Sequence, residues 1–157
     1  MAYKKPAQRF GGQINEVTIG SELKIGGESV LPFYGFDGNT GHRPAVGMEI
    51  WDIYPKNWPD SLKDAFGNAA EDPVKWALHC ESNFNPDFLC IRLVGANPDG
   101  GDKSPEECAN LVKELSERVK LPLVIAGCDS AEKDGKIFTK IAEAVPDKRY
   151  VFLSAVE

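Results

Sequence analysis

The chain has 157 residues, 24 of them acidic and 18 basic, for a formal net charge of −6. Apolar residues make up 42% and charged residues 27%, which excludes disordered, collagenous and coiled-coil chains and fits one soluble domain. The acidic balance argues against non-specific nucleic-acid binding, no apolar run nears the ~20 residues that cross a bilayer, and no leader pattern follows Met1. A cytoplasmic location is expected.

Residues 1–13 are polar and irregular and read as a flexible arm. Ile14 to Ile19 and Leu23 to Ile25 are short β-rich runs around Gly20-Ser21-Glu22, the pattern of a hairpin. With a linker to residue 44 they form a first unit, 14–44, in which Val30 to Tyr34 is expected to be extended. A second unit, 45–157, begins with a strand over Ala45 to Ile50. Asp52 to Ala70, rich in Pro, Asp, Asn and Gly, reads as a long loop. Asp72-Pro73 then caps a helix whose stripe is Val74, Ala77, Leu78 and Phe84. Phe88 to Leu93 is a second strand, apolar but for Arg92. Ser104-Pro105-Glu106-Glu107 is a capping box, followed by Cys108, Leu111, Val112, Leu115 and Val119 at helical spacing. Pro122 to Gly127 is a third strand. Asp129 or Ser130 caps a third helix with Ile137, Phe138, Ile141, Ala142 and Val145 inward. Tyr150 to Leu153 is a fourth strand.

Apolar strands alternating with amphipathic helices predict a parallel sheet covered by helices. An open α/β sheet, doubly wound, is one solution. The other is the first half of a (β/α)8 TIM barrel, since a whole barrel needs ~250 residues. The half-barrel is the preferred reading, with the open sheet kept as the alternative.

Chemistry-bearing residues are sparse. Cys80, Cys90, Cys108 and Cys128 contain no CxxC pair, so a self-contained zinc or iron–sulfur site is not expected. The first three read as small buried hydrophobes, and Cys128 follows a strand. Gly95 to Gly101 is glycine-rich but lacks any phosphate-loop fingerprint. His42 and His79 have no motif partner. Glu49, inside a strand read as covered, requires an ion pair with Arg92 or a polar cavity. Trp51, Tyr54 and Trp58 suggest an aromatic platform or the packing of a long loop.

Local strings add a resemblance. Gly26-Gly27-Glu28-Ser29-Val30-Leu31-Pro32-Phe33-Tyr34, Met48-Glu49-Ile50-Trp51-Asp52, Trp58-Pro59 and Asp72-Pro73-Val74-Lys75-Trp76-Ala77 together resemble one family. So do Asn97-Pro98-Asp99-Gly100, Ser104-Pro105-Glu106-Glu107, Gly127-Cys128 and Glu132-Lys133-Asp134. It is the small (delta) subunit of the corrinoid iron–sulfur protein of the acetyl-CoA synthase/decarbonylase system, and the resemblance runs from about Ile14 onward.

The resemblance implies a TIM barrel paired with a larger subunit that carries the iron–sulfur cluster and a mobile corrinoid (cobalamin) domain. It further implies methyl transfer from methyltetrahydrofolate or a related pterin, through a methyltransferase partner, to acetyl-CoA synthase. Members of the family look roughly twice as long as this chain. The expected role is a non-catalytic wall that shields the corrinoid and docks partners, with no metal ligand in this chain. Alternatives are a pterin-binding methyltransferase and a small α/β domain unrelated to methyl transfer. Barrel sites lie at the strands' C-terminal ends, so Trp51, Asn97 and Asp129 are expected to border the corrinoid-facing end.

Overall fold

The computed structural model describes residues 11–31 and 33–153. The N-terminal arm is therefore described only from Gly11. A two-stranded antiparallel hairpin comes first: β1 is Val17–Ile19 and β2 is Leu23–Ile25. The turn between them places Gly20 at φ 62°, a left-handed conformation that glycine adopts without Cβ strain. Val30, Leu31, Phe33 and Tyr34, expected to be extended, lie in no strand, and Tyr34 N–H donates to Leu31 O at 2.9 Å.

The second unit alternates strand and helix. Strand β3 is Gly47–Trp51, β4 is Phe88–Arg92, β5 is Leu123–Ala126 and β6 is Val151–Leu153. They pair in parallel in the order β3-β4-β5-β6. The described residues thus form an open parallel α/β sheet, which fits the alternative expectation, although its order never reverses and it is therefore not doubly wound.

Helix α1 is Asp60–Phe66 and runs into a 3-10 turn, Gly67–Glu71. Both lie in the stretch expected to be loop. Helix α1 buries no residue completely, so no apolar stripe announces it in the sequence. Helix α2 is Pro73–Phe84, with the Asp72 side chain accepting from Lys75 N–H at 2.8 Å. Its buried face is Val74, Trp76, Ala77 and Cys80, whereas Leu78 is only half-buried and Phe84 is exposed.

Helix α3, Pro105–Arg118, carries the expected capping box in full: Ser104 Oγ accepts from Glu107 N–H and Glu107 accepts from Ser104 N–H. Helix α4 is Ala131–Ala144. Ser130 is its N-cap residue but makes no side-chain cap bond. Ile137, Phe138 and Ile141 turn inward, while Ala142 faces solvent.

Alternation along the strands divides the sheet's side chains between two faces. Ile50, Leu89, Ile91, Leu123 and Ile125 join α2, α3 and α4 in one core that also holds Trp76, Leu115 and Ile141. The opposite face carries Glu49, Trp51, Cys90, Arg92, Val124, Ala126 and Val151. Its lower part, Cys90 and Val124, is covered by Ile19 of the hairpin, with Leu23, Ile25, Phe88 and Val151 packed around them. All three long helices therefore lie on one face, and the hairpin closes the N-terminal half of the other. No helix among the described residues is long and apolar enough to cross a membrane.

Candidate functional site at the C-terminal ends of the strands

Beyond the hairpin's cover, the C-terminal ends of β3, β4 and β5 meet in a polar cluster. Its foundation is Asp52, the residue after β3, whose side chain is 0% exposed. Asp52 Oδ1 accepts from Gly95 N–H at 2.7 Å. Lys103 Nζ donates to Asp52 O at 2.7 Å and to Oδ2 at 3.0 Å. A buried carboxylate needs such partners to offset its lost hydration. Gly95 is required by space: a Cβ there would stand 2.6 Å from Ile53 Cγ2 and 2.7 Å from Asp52 Oδ2. One carboxylate thus staples the loop after β4 to the end of β3.

The next link joins the β4 and β5 loops. Asn97 Nδ2 donates to Cys128 O at 2.7 Å, and its Oδ1 accepts from Asp99 N–H at 2.9 Å. The second buried carboxylate, Asp134, reaches back from the first turn of α4 to accept from Cys128 N–H at 2.7 Å. Gly127 lies directly against that carboxyl, leaving no room for a side chain. Asp134, rather than Asp129 or Ser130, therefore organises the start of α4.

Asp129 has another partner. It sits at φ 67°, and its two carboxylate oxygens accept from Arg92 Nη2 at 3.1 and 3.0 Å. The pair raises the Arg92 pKa, with charge from Glu49 adding to it. Arg92 stands opposite Trp51 on one side and Ala126 on the other. Trp51 Nε1 donates to Glu49 at 2.8 Å. Glu49 is exposed rather than covered, and its hydrogen-bond partner is Trp51, not Arg92. The reason is positional: β3 is the edge strand, and no helix packs on the face that Glu49 shares with Arg92.

The three residues expected to border this end are all there: Trp51 as the last residue of β3, and Asn97 and Asp129 in the adjoining loops after β4 and β5. Asn97 uses both ends of its amide within the loops, Nδ2 across to Cys128 O and Oδ1 for Asp99 N–H in its own loop. Trp51 and Asp129 flank Arg92 directly. Of the two readings of Trp51, Tyr54 and Trp58, a platform or the packing of the long loop, Trp58 follows the packing one. Trp58 packs edge-on against Trp76 at 4.9 Å and against Phe66 at 5.3 Å, on the helix side of the sheet and without Trp51 or Tyr54. His79 lies between Phe66 and Phe84.

Sequence reasoning missed Asp52, Lys103 and Asp134. Asp134 looks like an ordinary first-turn acid of a helix, and nothing local marks it as buried. Asp52 carried a usable signal, an acid placed directly after a strand in a parallel α/β chain.

All four cysteines are buried and unpaired. Burial pushes the Cys128 thiol up to about 11, with the neighbouring Asp134 adding to the rise. It is a thiol rather than a nucleophilic thiolate at neutral pH. His42, the other loop candidate, is far from this end and bonds Glu16 beside the hairpin. A cleft of about 730 Å³ opens at the opposite end of the sheet, between Gly20, Leu23, Pro122, Arg149 and Tyr150. Among the described residues no three His, Cys, Asp or Glu side chains are grouped to hold a metal ion.

Comparison with known proteins adds a family to this geometry. Residues 16–157 match the family described as CO dehydrogenase/acetyl-CoA synthase delta subunit. The chain belongs to that family. It is 31% identical to the acetyl-CoA decarbonylase/synthase complex subunit delta of Methanocaldococcus jannaschii, over 98% of this chain and 40% of that protein. The subunit delta of Methanothermobacter thermautotrophicus is 30% identical over the same shares. That of Archaeoglobus fulgidus is 26% identical over 94% of this chain and 35% of its own length. The chain thus spans about two fifths of the length of these curated relatives.

Proposed function

We propose that the chain forms the first four strands of a (β/α)8 barrel and works as a non-catalytic wall of a corrinoid iron–sulfur methyl carrier in the cytoplasm. The consecutive parallel order and the helices on a single face fit an arc of such a barrel, and the hairpin at the N-terminal end is compatible with it. The relatives' greater length provides for the rest. Units 14–44 and 45–157 are then the plug and the arc.

The observation that carries the functional reading is the division of the sheet face. The part around Cys90 and Val124 is sealed by Ile19, while Trp51, Arg92 and Asp129 towards the C-terminal end, and Glu49 on the edge strand level with Cys90, face the outside. Those groups suit a corrinoid as a wall does. They provide hydrogen-bond donors and acceptors and an aromatic edge, and no imidazole is among them. A bound corrinoid's cobalt would supply the methyl-transfer chemistry. The chain's own task is then positioning and exclusion of water, with Trp51, Asn97 and Asp129 bordering the contact. The partners under this reading are a larger subunit holding the corrinoid and the iron–sulfur cluster, a methyltetrahydrofolate methyltransferase and acetyl-CoA synthase. That the relatives are named as subunits of a multi-subunit complex supports it.

Affinity isolation from native extract, followed by an absorption spectrum, tests the proposal. A co-purifying larger subunit with corrinoid and iron–sulfur bands is the expected result. Binding of methyltetrahydrofolate by this protein alone would favour the methyltransferase alternative. In the assembled complex, Cys128→Ser should change the methyl-transfer rate only modestly, against the ~10²–10⁴-fold that loss of an acid–base group costs.

A further inference from the structure

The cleft of about 730 Å³ at the N-terminal ends of the strands lies between three loops. The hairpin turn forms one wall, and the loops that follow α3 and α4 form the others. Gly20 N–H donates to Arg149 O at 3.2 Å and ties two of these walls together. The volume lies within the range of roughly 300–1,000 Å³ that small-ligand sites occupy. Leu23, Val119, Leu121 and Pro122 give the cleft an apolar side.

Two independent observations point to an occupant with negative charge. The described lysines and arginines outside any ion pair are Lys56, Lys75, Lys113, Lys120, Lys148 and Arg149. Half of them, Lys120, Lys148 and Arg149, line this one cleft, in a chain whose net charge is −6. The dipoles at the C-termini of α3 and α4 favour a cation in each loop but do not neutralise the three together. Glu22 and Asp147 line the cleft too, and Asp87 is spent on Arg43. The cleft therefore keeps a net charge of about +1.

The second observation is a hydroxyl. Tyr150 Oη is buried and has no hydrogen-bond partner, where buried polar groups are as a rule paired. Ser116 beside it gives its own proton to Lys113 O at 2.7 Å. Burial raises the Tyr150 pKa against a smaller lowering by Ser116, so the phenol keeps its proton and lacks an acceptor. A phosphate ester answers both observations, because its oxygens accept from ammonium, guanidinium and phenol together. A carboxylate offers fewer acceptors, a neutral group leaves the cations unmatched, and an inorganic ion leaves the apolar side empty.

We propose that this cleft binds a small organic phosphate. Lys120, Lys148, Arg149 and the Tyr150 hydroxyl hold the phosphate, and its carbon body lies against Val119, Leu121 and Pro122. The site is at the opposite end of the sheet from the proposed corrinoid contact and does not depend on that function.

Amide NMR of the protein titrated with phenyl phosphate tests the site, with benzoate, inorganic phosphate and benzyl alcohol as comparison probes. Phenyl phosphate should shift the amides of Gly20, Lys120 and Arg149 saturably and bind more tightly than the other three. Arg149→Gln should weaken it roughly 10-fold or more, the scale of a hydrogen bond to a charged group. Tyr150→Phe should weaken it by about as much, yet leave the free protein as stable as before or more so, since it removes a buried donor without a partner. Lys56→Gln and Lys75→Gln, at unpaired cations outside the cleft, should change nothing.

Equal weakening by those two controls would reduce the binding to general charge attraction and overturn the site. Absent or unsaturable shifts with phenyl phosphate would overturn it as well. Tighter binding of oligoglutamate than of phenyl phosphate would give the cleft to an acidic protein segment and overturn the small-ligand assignment. Should Tyr150→Phe destabilise the free protein, the hydroxyl has a partner of its own, and its part in the site falls.

Discussion

The two halves of one sheet face are built for opposite ends. Near the N-termini of the strands, Cys90 and Val124 are 7% and 3% exposed because Ile19, itself 2% exposed, seals them. Two residues further along β4, Arg92 is half-buried, and Glu49, level with Cys90 but on the edge strand β3, is exposed. The strands are the same; the cover differs. Parallel sheets are normally covered on both faces, so an uncovered polar half stands out as the part reserved for something else. Its loops are nevertheless fixed from beneath, by the buried carboxylates of Asp52 and Asp134. Rigid loops under an exposed polar surface are what a preorganised contact needs.

Breaking the seal should have the largest effect. Ile19→Ala removes a buried side chain and leaves a cavity against Cys90 and Val124, which costs about 2–5 kcal/mol for a substitution of this type. Leu153→Ala, at a position 41% exposed on the uncovered half, should cost less than about 0.5 kcal/mol. Urea unfolding midpoints compare the two. Equal losses would mean that both halves are sealed and that the contrast is mistaken.

Loosening the staple should act on the open end alone. Asp52→Ala leaves the Gly95 amide without its acceptor and the Lys103 ammonium with only the backbone carbonyl of residue 52. Lys103 is 32% exposed at its side chain, so water recovers part of the loss, and about 1–3 kcal/mol is expected. Hydrogen exchange locates it. The amides of Gly95 and Lys103 should exchange faster, while those of the hairpin keep their protection. Faster exchange in both places would show that the two ends unfold as one unit.

How far the sequence could be read follows the same division. The capping box at Ser104 and the proline start at Pro73 are local rules, and both formed as written. The hairpin was legible because its turn is short and its strands alternate. Helix α1 was not, since Pro, Asp and Gly dominate its surroundings and its stripe is thin. Glu49 was misplaced for a different reason. A run such as Met48-Glu49-Ile50-Trp51 looks covered on both faces, and only strand order shows that β3 is an edge strand and that its second face is open. That Trp51, Asn97 and Asp129 lie at the C-terminal ends of the strands could be foreseen from the parallel topology. The internal use of Asn97, and the buried pairs of Asp52 and Asp134, depend on contacts 31, 43 and 6 residues apart, which no local pattern encodes.

The smallest expected effect is a pH response confined to the sealed end. Asp87, directly before β4, accepts from both Nη atoms of Arg43 and, at 2.8 Å, from Val46 N–H. Arg43 first, and then the backbone donor, hold the Asp87 pKa down at about 2. In the unfolded chain an aspartate titrates near ~3.9. The folded protein therefore binds its proton less readily, and stability rises with pH across that interval. The Asp87 contribution is fully present above about pH 4 and is lost as pH falls towards about 2. Asp87→Asn should abolish this part of the acid dependence, leaving a flatter stability curve between those limits. Carboxyl NMR gives the direct reading: the Asp87 midpoint should lie near 2 and move towards the ordinary value in Arg43→Ala. The open end supplies the control. Asp52→Asn should leave the Asp87 titration where it was, because the two carboxylates sit at opposite ends of the sheet. A moved midpoint would mean that the ends communicate through β3 and that their separation is incomplete.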